Sequence, residues 1–255
     1  TYPGSDVLIN KYGITDYDDW KEVETDFIGA RMGHLREHPI PGSYDLAHLQ
    51  AIHAYLTQDM YAWGGELRDT DTRPGGTGIA HCRPAFILPE AGRVFTALAE
   101  RDYLRGLDAD RFSDGLAWMW GEVTAIHPFR DVNTRSQHVF FNQLARDAGW
   151  VIDWSHIPGD VFAHARTLAI MENHSGIDAL IRPNLVTVEH AANRDRMDEH
   201  TRGRQTRRHT RDPQILDRDL DAALQRRARL LAVDPFGPDE PHHGGPERSG
   251  PRLGF

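Results

Sequence analysis

An all-α domain carrying one small β-hairpin is the fold class the sequence predicts, and three observations predict it. Apolar residues recur at helical spacing through most of residues 17 to 173. Strand-like character is confined to one stretch around a Pro74-Gly75-Gly76 turn. The 39% hydrophobic content over 255 residues is enough for one sizeable core.

The elements follow in order. A turn-rich opening, YPGSDVLINKYG, leads into DYDDWKEVETDFIGARMGHLREH. There Trp20, Val23, Phe27, Ile28 and Met32 form a helical stripe, with acids leading and bases trailing as the helix dipole prefers. PIPGSYD breaks that helix. LAHLQAIHAYLTQDMYAW follows as a second amphipathic helix, with Leu46, Leu49, Ile52, Leu56 and Met60 on one stripe. Residues 66 to 87, ELRDTDTRPGGTGIAHCRPAFI, read as the hairpin. Helical patterns resume at about 90 to 105, 111 to 126, 134 to 149 and 159 to 173. Beyond about residue 186 large apolar residues become scarce. Residues 187–255 are expected to be a charged, Arg-rich and Pro/Gly-rich tail, largely disordered, with one helix near 216–232 on Leu216, Leu220, Leu224 and Leu231.

Charge and composition exclude several function classes. The formal charge is −9, and Lys11 and Lys21 are the two lysines, which argues against sequence-independent nucleic-acid binding. No apolar run approaches the roughly 20 residues needed to span a bilayer, so no membrane partner is expected. TYPGSDVLIN has neither the basic nor the apolar region of a signal peptide. The lone cysteine, Cys82, fits a reducing compartment. A cytoplasmic protein is the expectation. The 15 histidines show no zinc-like spacing.

The chemistry concentrates in AIHPFRDVNTRSQHVFF, residues 125–141. Pro128 stops one helix, because proline disfavours α geometry in the residue before it. A second helix begins near Thr134, and its first N–H groups lack intrahelical partners and attract anions. Asn133 is a natural N-cap. Arg135 places a positive charge where the dipole opposes it, which makes sense beside a bound phosphate. Asp131 offers a hard oxygen ligand for Mg²⁺, and His127 can accept a proton near neutral pH. These parts suit phosphoryl or nucleotidyl transfer. A plain reading stands beside that one: a His-Pro helix stop, two capping residues and a surface arginine.

HPFRDVNTRSQH resembles the signature of the Fic (Fic/Doc) family, H-P-F-x-[D/E]-G-N-G-R-x-x-R. YPGSDVLINKYGI, YDLAHLQAIHAYLTQDMYAWGGELR and the stretch to HCRPAFI resemble the same family in the same order, from Tyr2 to about residue 185. The resemblance implies a Fic domain over residues 1–186, a helical bundle with a β-hairpin flap over the active-site loop. It implies transfer of AMP from ATP to a Ser, Thr or Tyr hydroxyl of a target protein, with Mg²⁺. In that scheme His127 is the base, Asp131 holds Mg²⁺, Asn133 helps form the anion hole and Arg135 clamps the outer phosphates. The flap, about Asp69 to Pro84, would dock the target by strand addition.

Three signature positions differ. Val132 and Thr134 stand at the two glycines and His138 at the second arginine, all at the nucleotide site. A positive φ at the first position would strain Val132, whereas the Thr134 hydroxyl can itself donate to phosphate. His138 would replace a forked clamp by a weaker, pH-dependent charge. Relatives with altered loops transfer phosphate, UMP or phosphocholine, so another phosphate donor is one alternative. A weakly active or inactive scaffold acting as a binding module is the other. The inhibitory pattern [S/T]-x-x-x-E-[G/N] has no clear copy, since TLAIMEN at 167–173 has one residue too many. Inhibition is therefore expected from a separate, antitoxin-like protein. Secretion as an effector stays open.

Overall fold

The computed structural model describes residues 1–75 and 78–202, with backbone alone at 195 and from 197 to 202. The tail helix expected near 216–232, and the expected tail from residue 203 onward, lie outside the described residues.

Among the described residues eight α-helices and two short strands follow one another. They are α1 (Tyr17–Glu37), α2 (Leu46–Thr57), α3 (Ile87–Glu100), α4 (Ala109–Ile126), α5 (Asn133–Asp147), β1 (Trp150–Ile152), α6 (Gly159–Ala169), α7 (Ser175–Ile181), β2 (Leu185–Thr187) and α8 (Val188–Arg202). Local chemistry sets several starts. The Asp16 side chain accepts from the N–H groups of Asp18 and Asp19 to open α1, Asp45 accepts from His48 to open α2, and Asp108 accepts from Arg111 to open α4. Each cap satisfies donors that the helix itself cannot. At its far end α1 carries His34 and Arg36 in the last turn and stops at His38, ahead of Pro39.

α5 is the central element and touches α1, α2, α4 and β1. Its Phe140, Phe141 and Leu144 share one core with Phe112, Leu116, Trp120 and Val123 of α4 and with Ile52 and Leu56 of α2. Trp120 stacks on Phe141 with centroids 4.6 Å apart. Burying this apolar stripe holds the bundle together and fixes where the α4–α5 loop emerges.

The small antiparallel sheet lies elsewhere than expected. β1 pairs with β2, Trp150 opposite Thr187 and Ile152 opposite Leu185. The segment around Pro74-Gly75 is instead an extended loop without a ladder among its described residues, where His81 N donates to Thr72 O (3.0 Å). The reason is where its flanking donors go. Arg68 N donates to Pro128 O (2.9 Å) and Cys82 N to Ala125 O (2.8 Å), so the two flanks pair with the α4–α5 connection rather than with each other. The loop still lies over the position expected for a flap. Just past the boundary expected at 186 the chain runs on as α8. No helix among the described residues is long and apolar enough to cross a membrane.

Candidate active site

The α4–α5 loop is built from strained and stapled backbone. His127 is the C-cap of α4 in the left-handed region (φ 46°, ψ 64°). Val132 is the N-cap of α5, also left-handed (φ 59°, ψ 11°), with no side-chain cap. A β-branched residue there is strained, so the loop keeps the torsion that favours glycine and Val132 bears its cost. The isopropyl group is buried in the core, which offsets that cost. Val132→Ala is expected to lose about 2 kcal/mol of stability from lost burial. Val132→Gly removes more apolar surface yet relieves roughly 1 kcal/mol of torsional strain. Equilibrium unfolding should therefore rank glycine above alanine, the reverse of the usual order at a buried valine.

Asn133 is the first residue of α5 rather than its cap. Its side chain accepts from Phe129 N (2.9 Å) and donates to Phe129 O (2.7 Å), so the amide closes the loop on itself. The amide thus staples the loop that leads into α5. The backbone N–H groups of Asn133, Thr134 and Arg135 donate to no protein group among the described residues. They make a helix entrance suited to an anion.

Arg135 does not wait for an anion from outside. Its Nη2 lies 3.1 Å from Oε2 of Glu24, a carboxylate 1% exposed in α1. Burial alone would raise the Glu24 pKa, but Arg135, Lys21 and Tyr61 hold it below the ordinary carboxylate value. The first-turn charge that looks misplaced in the sequence is thus answered inside the fold.

His138 also sits away from its expected role. Its ring is packed against Trp120 (5.2 Å), Trp154 (4.5 Å) and Phe162 (5.5 Å). Burial, with the Arg166 cation nearby, lowers its pKa to about 4, so it is neutral at physiological pH. An aromatic box selects a flat, neutral ring at this position and leaves no charge for a phosphate.

His127 is held under the flap loop. Its ring stacks on His81 at 3.8 Å with 5° between the planes, and His81 Nδ1 is bonded to Thr72 Oγ1 (2.9 Å). Burial, then His81, Arg166 and Arg68, put the His127 pKa well below its ordinary value. A neutral imidazole is the form that accepts a proton. Asp131 accepts from Val132 N through Oδ1 (2.7 Å), while its Oδ2 lies 4.0 Å from Lys21 Nζ.

Three further residues shape the site and are missing from the sequence motif. Arg68, 5% exposed, donates to the carbonyls of Thr70, Cys82, Ile126 and His127, and so ties the flap loop to the end of α4. Arg68→Ala should cost about 2–4 kcal/mol, since it strands several buried acceptors. Denaturant unfolding checks this, and a loss near zero would mean water replaces the guanidinium freely. His53 of α2 accepts from Gly65 N through Nδ1 (2.9 Å) and donates from Nε2 to Asp131 O (3.2 Å). It stacks on Phe129 at 3.9 Å, and burial lowers its pKa to about 4. Arg166 of α6 donates from Nη1 to Thr134 Oγ1 (2.9 Å) and from Nη2 to Gln137 Oε1 (3.2 Å). All three lie far from the motif in sequence, and no local pattern announces them.

The model of the Fic/DOC family matches residues 43–145. The chain is 36% identical over 185 residues to the protein adenylyltransferase VbhT of Bartonella schoenbuchensis, covering 72% of this chain and 38% of that protein. It is likewise 36% identical over 182 residues to y4lH of Sinorhizobium fredii, described as a probable protein adenylyltransferase, covering 71% of this chain and 92% of that protein. The chain thus spans about two fifths of the first relative and nearly all of the second. Among solved structures it is similar to BepC of Bartonella tribocorum, a translocated effector crystallised with AMPPNP. The TM-score is 0.67 at 26% identity, covering 73% of this chain and 95% of that one.

Proposed function

We infer that this chain, which belongs to the Fic/DOC family, is a protein adenylyltransferase that moves AMP from ATP to a Ser, Thr or Tyr hydroxyl of a target protein. One observation carries the reading: a neutral, half-buried imidazole at the end of α4 stands one short loop before an α5 entrance whose first three N–H groups donate to no protein group among the described residues. Base and phosphate cradle are the two parts such a transfer needs.

In this mechanism His127 takes the proton of the target hydroxyl. The hydroxyl oxygen bonds to the α-phosphorus of ATP, the bond from that phosphorus to the bridging oxygen breaks, and pyrophosphate leaves. The N–H groups of Asn133, Thr134 and Arg135 receive phosphate oxygens. Asp131 is the residue fitted to Mg²⁺. Its Oδ1 is spent on Val132 N, while Oδ2 has only Lys21 at 4.0 Å. Mg²⁺ bound there would neutralise phosphate charge. The extended loop from Asp69 to Pro84 presents mostly exposed residues for a target segment to dock against. Inhibition by a separate, antitoxin-like protein belongs to the same reading.

Intact-mass analysis of the protein and of candidate targets, after incubation with ATP and Mg²⁺, tests this directly. The expected result is an added AMP. CTP, GTP, UTP and CDP-choline run in parallel. A different added group from one of these, with none from ATP, would replace the adenylyl reading by another phosphate donor. No addition from any donor would favour a binding module.

A further inference from the structure

Arg166 is an uncompensated cation inside the protein. It is 7% exposed, its Nη1 and Nη2 donate to the neutral oxygens of Thr134 and Gln137, and its Nε is buried without a partner. No carboxylate pairs with it among the described residues, and burial brings its pKa down to about 10. A buried charge is ordinarily matched by an opposite one.

Three other basic groups near the α5 entrance are already committed or uncharged. Arg135 is paired with Glu24, Arg68 is committed to four carbonyls, and His138 is neutral in its aromatic box. Thr134 links Arg166 to that entrance. Its Oγ1 accepts from the guanidinium and leaves the hydroxyl proton to donate, beside three backbone N–H groups with no acceptor. An anion seated there would complete both groups at once.

We propose that Arg166, reaching across from α6, is the cation that binds the outer phosphates of the donor nucleotide. It acts through and beside the Thr134 hydroxyl, in place of the arginine that the family signature carries at position 138. The nature of the ligand rests on the adenylyltransferase reading, whereas the anion site rests on the geometry alone. In consequence Thr134 and His138 are no longer two separate losses from the motif. Thr134 is the partner that Arg166 requires, and an arginine at 138 would stand among Trp120, Trp154 and Phe162 beside a second buried cation.

Calorimetry with Mg²⁺-ATP, Mg²⁺-ADP, AMP and inorganic tripolyphosphate on wild type, Arg166→Met and Arg166→Lys is the test, with thermal melting of each. Arg166→Met should melt higher than wild type, because an unmatched buried charge is gone. It should also bind ATP and tripolyphosphate about tenfold or more weakly, the worth of one charge-assisted bond, and AMP far less affected. Arg166→Lys should keep most of the affinity. Equal loss in Arg166→Lys and Arg166→Met would assign the effect to packing and overturn the proposal, as would unchanged binding in Arg166→Met. A wild type that binds none of these anions overturns it as well. If wild type binds tripolyphosphate through Arg166 but not ATP or ADP, the anion site stands and the nucleotide reading falls. ATP binding that survives Arg166→Met does the reverse.

Discussion

His127→Ala abolishes AMP transfer in the expected result, with a loss on the order of 10² to 10⁴ in rate or more, because in the proposed mechanism the base both takes the hydroxyl proton and positions the oxygen. The structure gives the variant little reason to unfold. His127 contributes a ring stacked on His81, and its backbone bonds to Arg68 and Val123 survive truncation. Alanine meets the same left-handed torsion that histidine already bears. The melting temperature should therefore stay within a few degrees of wild type, while transfer falls to background. Rates measured against pH on wild type add a second reading. With the His127 pKa held well below 6.5 by burial and by His81, Arg166 and Arg68, the acid limb should lie below pH 6.5. Undiminished transfer by the alanine variant would remove His127 from the chemistry.

A steep loss of stability in mild acid is the second large effect. His81 is buried and His138 half-buried, with pKa values lowered to about 4 from 6.5. For His81 the causes are burial, then Arg68 and Arg166, and for His138 burial, then Arg166. The unfolded chain takes up protons at these histidines as pH falls through 6.5, whereas the folded chain resists until about 4. Stability is thus fully present above pH 6.5 and declines below it. The slope is about 1.4 kcal/mol per pH unit for each histidine, so the pair together removes several kcal/mol by pH 4.5. Urea unfolding at pH 7.5, 6.0 and 5.0 checks the sign and the size. His138→Phe, which keeps a flat ring in the aromatic box without a titrating nitrogen, should flatten the curve by about one proton's worth. A pH-independent midpoint would mean that both histidines take up protons in the folded chain as readily as in the unfolded one.

Much of the fold was legible because helices announce themselves locally. Asp16, Asp45 and Asp108 precede apolar stripes of period 3.6, and each caps the helix it introduces. The strands β1 and β2 span three residues each and lie 35 positions apart, so no period was available to read. The Pro-Gly pair signalled a reversal, and His81 N does reach back to Thr72 O, but no ladder forms among the described residues on either side, where Arg68 and Cys82 give their N–H groups to the α4–α5 connection.

The sequence by itself determined the family likeness, the helical bundle, the loop that enters α5 and the residues that carry the proposed chemistry. Those are matters of spacing and residue type within a dozen positions. Only the tertiary structure decided which charges are free to act. Arg135 and His138 stand in the motif, yet one is neutralised by Glu24, more than 100 residues upstream, and the other is held neutral by aromatic rings from three other parts of the chain. Arg166, 28 positions beyond the last motif residue, lies against Thr134 with its charge unmatched. Electrostatic character depends on what is packed around a group in three dimensions, and burial and pairing across distant helices are not written in the local sequence.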